Sequence, residues 1–135
     1  MKKFELTTES ITFLGRTLFR IKALISFGNV KAGELGGYIE KEGNLSHEGN
    51  AWVCGDARVC GDADIATISG FGSKYRTTTF FRTKNDEIAV KCGCFYGTLA
   101  EFREKVKETH GDNRYAKEYL MIADLMEMHF RGEEE

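Results

Sequence analysis

The chain has 135 residues, 41% of them hydrophobic and 30% charged, which is the composition of one ordinary globular domain or two very small ones. Nineteen lysines and arginines against 21 aspartates and glutamates leave a formal net charge of −2, which argues against duplex nucleic acid as a partner. No apolar run approaches the roughly 20 residues that cross a bilayer, and the early Glu5 is not typical of a signal peptide, so we expect a cytoplasmic protein.

The first third of the chain contains two strand-like runs. Apolar residues precede Gly15, and a second run follows from position 17 to position 27. A glycine between two such runs is typical of a β-hairpin turn. We therefore predict a hairpin that turns at Leu14-Gly15-Arg16 and forms an N-terminal cap over residues 1–34.

A six-residue repeat occupies residues 35–70. Its later units read V-x-G-[ND]-A-x, and glycine recurs every six residues, at Gly37, Gly43, Gly49, Gly55 and Gly61. This period fits neither an α-helix nor a hairpin, but it fits a triangular β-solenoid with glycine and Asn/Asp at the corners. Three units make one coil, so the repeat predicts about two coils, with Ile39 stacked over Ala57. Two coils cannot bury a core alone, so the flanks or another chain must close them.

Trp52 is the only tryptophan and lies at an outward-facing position of this repeat. A large aromatic side chain there is either covered by a flanking segment or is an anchor in an interface. The sequence does not favour either alternative, so Trp52 is one of the candidate interface residues.

Residues 71–135 predict a second hairpin followed by two helices. Strand-like runs over 75–83 and 88–95 are joined by a polar turn, and alternation places one apolar set on a common face: Ile88, Val90, Cys92 and Cys94. A first helix begins after Thr98, which forms a capping box with Glu101, and ends at Gly111. The fold class predicted for the whole chain is therefore α+β and mainly β, with a short solenoid between the two hairpins.

The second predicted helix begins at Asp112 or Asn113 and runs to about Phe130. Its apolar positions cover well over half of the circumference, whereas a helix on the surface of a monomer needs one stripe. We therefore predict burial on two sides and a homo-oligomer. The candidate interface residues on this helix are Tyr119, Ile122, Met126 and Phe130.

A group of cations and aromatic rings in the second hairpin is a candidate anion or nucleotide site. Alternation places Arg76, Thr78, Phe80 and Arg82 on one face of the first strand, and it places Lys91 and Phe95 opposite the cysteines of the next. Cations bind phosphate and a ring stacks on a base. The alternative is a solvated sheet face with an ordinary cation–π contact.

Catalytic and metal-binding patterns are not evident. Four cysteines without an export signal favour free thiols, and their spacing does not match the paired ligands of a structural zinc site. The histidines, His47, His110 and His129, are scattered and have no carboxylate or cysteine at a helpful spacing. We predict no catalytic residue, no metal and no cofactor.

The glycine repeat resembles that of hexapeptide-repeat, left-handed β-helix proteins. The chain as a whole resembles small proteins of phages and prophages of Gram-positive bacteria, through segment 28–41, the V-x-G-[ND]-A units and segments 77–84, 92–95 and 107–112. This resemblance implies a non-enzymatic accessory protein in the bacterial host's cytoplasm. Such a protein can inhibit a defence system by binding an effector, such as a CRISPR complex, or by sequestering a signalling nucleotide. Two alternatives stay open: a minimal hexapeptide-type acyltransferase, and a self-assembling structural solenoid.

Overall fold

The computed structural model describes residues 2–72, 76–93 and 95–131, with Asp62 and Arg76 described for their backbone only. The described chain is α+β and mainly β, as predicted, with two four-stranded sheets followed by two helices. The strands are β1 Phe4–Phe13, β2 Arg16–Ala23, β3 Leu35–Ile39, β4 Arg58–Val59, β5 Ile65–Phe71, β6 Arg76–Arg82, β7 Ile88–Cys92 and β8 Phe95–Thr98. The helices are α1 Leu99–His110 and α2 Arg114–Arg131, and 3-10 helices occupy Glu42–Asn44 and Asp62–Asp64.

The first sheet has the strand order β1-β2-β3-β4. The predicted hairpin is confirmed: β1 and β2 are antiparallel, with Phe13 opposite Arg16. Leu14 and Gly15 both have positive φ, 53° and 78°. Two such residues between the strands form the tight turn whose twist matches that of the hairpin.

The second sheet is an antiparallel meander in the order β5-β6-β7-β8. The predicted hairpin corresponds to β6 and β7, whereas β5 and β8 were not predicted as strands of this sheet. Ile88, Val90 and Cys92 all pack on the side of the helices, as the alternation predicted. The fourth member of that set, Cys94, lies outside the described residues.

Both helices begin and end where the sequence predicts. The Thr98 side chain accepts a hydrogen bond from the Glu101 amide, and the Glu101 side chain bonds back to the Thr98 amide. Gly111 ends α1 with φ +65°, and Asn113 Oδ1 accepts the amide of Ala116 at 3.0 Å near the start of α2. No helix in the described residues is long and apolar enough to cross a membrane.

The second sheet separates two hydrophobic cores. Phe81 and Ala89 point towards the first sheet and the irregular segment before β4. Their neighbours Phe80 and Val90 point the opposite way, towards α1 and α2. Strand alternation in β6 and β7 therefore produces three layers, in which the central sheet is covered on both faces.

Residues 35–70 do not appear as two stacked coils in the described structure. They form β3, a 3-10 helix, an irregular stretch, β4, a second 3-10 helix and then β5, which belongs to the other sheet. A parallel pairing joins β3 to β4 and places Ile39 opposite Val59, two residues beyond the predicted partner Ala57. At the start of this stretch β3 pairs with the antiparallel strand β2, and at its end β5 pairs with the antiparallel strand β6. These strands take the place of the further coils that the repeat predicted.

The candidate interface residues are covered by the chain itself. Trp52 is 0% exposed and its ring packs edge-on against Phe27 at 5.4 Å, which is the first of its two alternatives, cover by a flanking segment. The four candidates on α2 are also buried, because that side of the helix packs on the second sheet; they are Tyr119, Ile122, Met126 and Phe130.

Lys3 is a buried cation at the start of β1. It is 1% exposed, its Nζ donates to the carbonyl oxygen of Ala51 at 2.6 Å, and it lies 4.7 Å from the ring centroid of Phe27. Burial lowers the pKa of this ammonium from 10.5 to about 8. The fold therefore favours the neutral amine more than the unfolded chain does.

This shift predicts a contribution of Lys3 to stability that rises with pH. Between pH 8 and 10.5 the folded state releases the Lys3 proton while the unfolded chain keeps it, so the part of the free energy of unfolding that Lys3 supplies increases across that window. We expect an increase of up to about 3 kcal/mol from this group. Urea denaturation of the wild type and Lys3→Met at pH 7 and pH 10 measures it.

Lys3→Met should lose the part of the increase that Lys3 supplies. Lys31→Met, at an exposed lysine, should keep the wild-type increase and serves as the control. An identical pH dependence in wild type and Lys3→Met would contradict the burial of this amine.

Candidate functional site

The six candidate ligand residues do not share one surface. Thr78 and Phe80 are buried on the helix side of the second sheet. Thr78 lies opposite Cys92 and donates to its Sγ at 3.2 Å, so the cysteine shares this face. Lys91, one residue earlier, points to the other face, because side chains alternate along a strand. The prediction that grouped Lys91 with Thr78 and Phe80 is therefore wrong in its geometry.

Phe95 is also apart from Lys91. Phe95 pairs with Cys92 across β7 and β8 and packs in the helix-side core, 5.8 Å from the ring of Phe102. Phe95 was predicted opposite the cysteines, and this too is corrected. The side chain of Arg76 lies outside the described residues.

Arg82 connects the second sheet to the end of α2. Its Nε bonds to Asp64 at 2.8 Å and its Nη1 to Asp86 at 3.0 Å. Its Nη2 donates to the main-chain carbonyl oxygen of Phe130, and the guanidinium lies 5.3 Å from the Phe130 ring centroid. Two carboxylates and a main-chain carbonyl oxygen thus pair with this cation within the chain.

Lys91 instead lines a cleft of about 230 Å³ on the other face of the sheet. The cleft lies between the turn at 27–30 and the ends of β6 and β7. Phe27 and Val30 form its apolar wall, and the polar lining comes from four side chains: Asn29, Asn50, Thr77 and Lys91. Four separate segments of the chain therefore line this cleft, and we call the arrangement the Lys91 cleft.

The turn at 27–30 is held in place by its own backbone. Phe27 and Val30 exchange main-chain hydrogen bonds of 2.9 and 2.8 Å, and Gly28 between them has φ +54°. A glycine adopts this left-handed conformation without strain, so the turn can close tightly. Asn29 is consequently presented towards β7, 62 residues later in the chain.

The Lys91 ammonium is oriented by uncharged partners. Its Nζ donates to Asn29 Oδ1 at 3.2 Å and to the carbonyl oxygen of Gly93 at 2.6 Å. An ammonium has three donors, so these two bonds leave one for a ligand. Lys91 forms no ion pair with any carboxylate in the described part of the chain.

The chemistry of the Lys91 cleft suits a small anion attached to an apolar or planar group. A charge-assisted hydrogen bond from the ammonium would hold the anion, and the amides and the Thr77 hydroxyl would complete its hydrogen bonds. At about 230 Å³ the cleft is smaller than the roughly 300–1,000 Å³ typical of pockets for drug-sized ligands. It therefore takes one phosphate- or ring-sized group in preference to a whole dinucleotide.

His47 has a carboxylate partner that the sequence analysis missed. Its Nε2 lies 2.7 Å from Glu42 Oε2, and its Nδ1 accepts the main-chain N–H of Lys3 at 3.0 Å. The ring also stacks on Phe4 with centroids 4.3 Å apart. The hydrogen bond from His47 is the main reason that the pKa of the Glu42 carboxyl lies below its usual value. Both ring nitrogens are hydrogen-bonded, Nδ1 to the residue before β1 and Nε2 to Glu42, which leaves neither free as a general base.

The other two histidines contact aromatic rings, and the Cys54 thiol is partly buried. His110 lies 5.5 Å from the ring of Tyr115, and His129 lies 5.2 Å from that of Phe130. Burial raises the pKa of the Cys54 thiol to about 11, which disfavours the reactive thiolate. Within residues 2–72, 76–93 and 95–131, no three His, Cys, Asp or Glu residues are grouped so as to hold a metal ion.

The polar lining of the Lys91 cleft is the part of the site that sequence reasoning missed. Asn29 and Asn50 lie in turns, and the sequence pattern places Thr77 on a strand but gives it no role. No family model, curated protein or solved structure matches the chain, so the proposals below depend on its own geometry and on the residue patterns above.

Proposed function

We propose that the chain is a non-enzymatic binding protein that holds a small anionic group in the Lys91 cleft. Following the resemblance to small phage and prophage proteins, we propose that it acts in the bacterial cytoplasm as an inhibitor of a host defence system. One observation supports the binding role above the others. Lys91 is a partly buried cation, oriented by neutral oxygens, with no carboxylate to neutralise it among the described residues.

The contrast with two arginines on the helix side of the second sheet gives this observation its weight. Arg82 and Arg103 each meet two carboxylates, at distances between 2.8 and 3.0 Å. Removing a charge from water is costly unless it is paired, and those two arginines are paired within the chain. Lys91 has no such carboxylate partner among the described residues. A phosphate or carboxylate group of a ligand therefore supplies the negative charge that pairs with its ammonium.

The size of the cleft narrows the ligand class. A signalling nucleotide would place one phosphate or one base in the cleft, beside the Phe27 ring, and leave the rest of the molecule outside. This arrangement agrees with sequestration of a nucleotide. It agrees equally with recognition of a phosphorylated or carboxylate-bearing group on a defence effector such as a CRISPR complex.

The acyltransferase alternative has less support. Its reaction needs a histidine general base beside a substrate cleft, and such a base must have a free nitrogen. His47, the histidine of the repeat, has both nitrogens bonded, to Lys3 and to Glu42. The self-assembling solenoid also has less support. It would need stacked coils that continue from chain to chain, and residues 35–70 do not form such coils in the described structure.

Within residues 35–70 we propose a short hexapeptide-repeat β-solenoid, reduced to a single turn from β3 to β4, before the chain enters β5 of the second sheet. The V-x-G-[ND]-A units support this, together with the parallel contact of β3 and β4. The amides of Gly37 and Glu40 also bond to the carbonyl oxygens of Val53 and Val59, at 3.1 and 3.0 Å, as between adjacent coils.

Substituting Lys91 tests the ligand site. Lys91→Met is expected to weaken binding roughly 10- to 100-fold, because a hydrogen bond to a charged group contributes about 1.5–3 kcal/mol. The measurement is isothermal titration calorimetry with adenosine monophosphate, guanosine monophosphate, a cyclic dinucleotide and inorganic phosphate as probes. Lys107→Met, at an exposed lysine of α1, is the control and should bind like the wild type.

Two results would count against the proposal. One is a wild-type protein that binds none of the four probes at millimolar concentration. The other is a probe whose affinity is the same in wild type, Lys91→Met and Lys107→Met, which would locate its binding elsewhere. Salt should weaken a genuine interaction, since screening reduces the attraction between the ammonium and an anion.

A further inference from the structure

We infer that the group held in the Lys91 cleft is a phosphate, and that Asn29 is the residue that selects it. This inference rests on the binding role proposed above and narrows the ligand from anionic groups in general to phosphate esters. It also specifies which part of a nucleotide would enter the cleft. Three properties of the cleft support it: the way its walls are joined, the hydrogen-bond donors that line it, and the ammonium of Lys91.

The walls of the cleft are joined to one another on the side away from Lys91. A Cβ at Gly28 would lie 3.5 Å from Cγ of Asn50, so the Asn50 side chain lies over the turn at 27–30. A Cβ at Gly49 would lie 3.5 Å from Thr77 Oγ1, so the same segment also contacts β6. Asn50 is thus placed between the turn and the second sheet.

The side that contains Lys91 closes the arrangement. β7 pairs with β6, with Lys91 opposite Thr79, and the ammonium bonds back to Asn29 in the turn at 3.2 Å. The four segments therefore contact one another in a closed ring. Polar side chains held in this way are oriented before a ligand arrives, which lowers the entropy lost on binding.

The side-chain amide of Asn29 is oriented by Lys91. Its Oδ1 accepts a hydrogen bond from Nζ, and an asparagine amide carries two N–H groups beside that oxygen. Because Asn29 also lines the cleft, these two N–H groups are available to a ligand next to the remaining N–H of the ammonium. Asn29 and Lys91 therefore act as one unit of adjacent donors.

The donors that line the cleft favour a phosphate over a carboxylate. Lys91 supplies one N–H, and the amides of Asn29 and Asn50 supply two each. Two of the acceptors at the cleft, Asn29 Oδ1 and the carbonyl oxygen of Gly93, already bond to the ammonium. A phosphate ester has three terminal oxygens that accept these donors, whereas a carboxylate has two.

The ammonium of Lys91 gives the same preference. A phosphate monoester carries a charge of about −1.5 to −2 at pH 7, and a carboxylate carries a single negative charge, so the phosphate is attracted more strongly. The edge of a nucleobase presents donors beside acceptors, and its donors would face an ammonium that cannot accept a hydrogen bond. A bound nucleotide therefore places its phosphate at Lys91 and its sugar or base outside the cleft.

Three small probes test the choice of phosphate. Isothermal titration calorimetry at neutral pH compares phenyl phosphate, benzoate and adenosine. Phenyl phosphate should bind at least about 10-fold more tightly than benzoate, which has the same ring, because it forms more charge-assisted hydrogen bonds. Adenosine, which has no phosphate, should show no binding at millimolar concentration.

The probes separate this inference from the binding role on which it rests. Equal affinities for phenyl phosphate and benzoate would overturn the choice of phosphate and leave the anion site intact. Adenosine that binds as tightly as phenyl phosphate would also overturn it, since a base would then occupy the cleft. A protein that binds none of the three probes would refute the anion site itself, and the inference with it.

The role of Asn29 is tested by Asn29→Asp. This substitution keeps an oxygen that accepts from Lys91 but removes the N–H donors and pairs the ammonium within the chain. We expect the affinity for phenyl phosphate to fall at least about 10-fold, with no loss of unfolding free energy in a urea titration. Asn85→Asp adds the same charge at an exposed turn position between β6 and β7 and should bind like the wild type. Unchanged affinity in Asn29→Asp, or an equal loss in both variants, would overturn the role of Asn29.

Discussion

Replacing Trp52 with alanine is expected to lower the free energy of unfolding by about 3–5 kcal/mol, the usual cost of removing a large aromatic side chain from a core. The indole is 0% exposed and packs against Phe27 at 5.4 Å. The Trp52 main-chain N–H also donates to Thr79 Oγ1 at 3.2 Å, which connects this segment to the second sheet. Urea denaturation followed by far-ultraviolet circular dichroism measures the loss.

Trp52→Phe is the informative companion variant. The indole Nε1–H is buried and has no hydrogen-bond partner among the described residues. An unsatisfied buried donor costs about 1–3 kcal/mol, and phenylalanine removes it while keeping most of the ring volume. Trp52→Phe should therefore lose at least about 2 kcal/mol less than Trp52→Ala. A loss below about 1 kcal/mol in Trp52→Ala would contradict the buried position and restore the outward one that the repeat predicted.

Features that depend on a few neighbouring residues were predictable from the sequence. The turn at Leu14-Gly15 needs only two residues that tolerate positive φ between apolar runs. The capping box of Thr98 and Glu101 is likewise local, and so is the glycine that ends α1. Each of these signals depends on a few consecutive residues, and the structure contains all three.

Pairing between distant segments was not predictable in the same way. β5 was counted with the repeat, because Ile65 holds the same position in its unit as Val53 and Val59, yet β5 pairs with β6 in the second sheet. Alternation correctly grouped Ile88, Val90 and Cys92, but it did not say which face of β6 they share. That face depends on the register of Thr78 opposite Cys92, and a register shift of one residue exchanges the two faces.

The candidate site shows the same difference between local features, which the sequence predicts, and contacts between distant segments, which it does not. Lys91 was identified from its charge on a strand, but its partner Asn29 lies 62 residues away in a turn. Similarly, Glu42 and His47 are close in sequence, and their contact depends on how the loop after β3 folds back on the N-terminus. Contacts of this kind are properties of the tertiary fold, and a single sequence carries little signal for them.

Alanine substitutions at the glycines of the repeat distinguish a regular solenoid from the arrangement of residues 35–70 in the structure. In a regular solenoid Gly37 and Gly43 hold equivalent corners, so alanine should have a similar effect at both. In the structure a Cβ at Gly37 would lie 2.5 Å from the Cβ of Ala57, whereas at Gly43 it would meet nothing within 4 Å. The same substitution therefore has different consequences at the two positions.

Gly37→Ala is expected to destabilise the fold by about 3 kcal/mol, at the upper end of the usual cost of overpacking a core. The clash cannot be relieved by a side-chain rotation, since both carbons are attached directly to the backbone. Separating them would stretch the hydrogen bonds from Gly37 N to Val53 O and from Tyr38 N to Ala57 O, now 3.1 and 3.2 Å. Gly43→Ala is the control and should change the unfolding free energy by less than about 1 kcal/mol in the same urea titration. Equal losses in the two variants would favour the regular solenoid, because only there do the two glycines have the same surroundings.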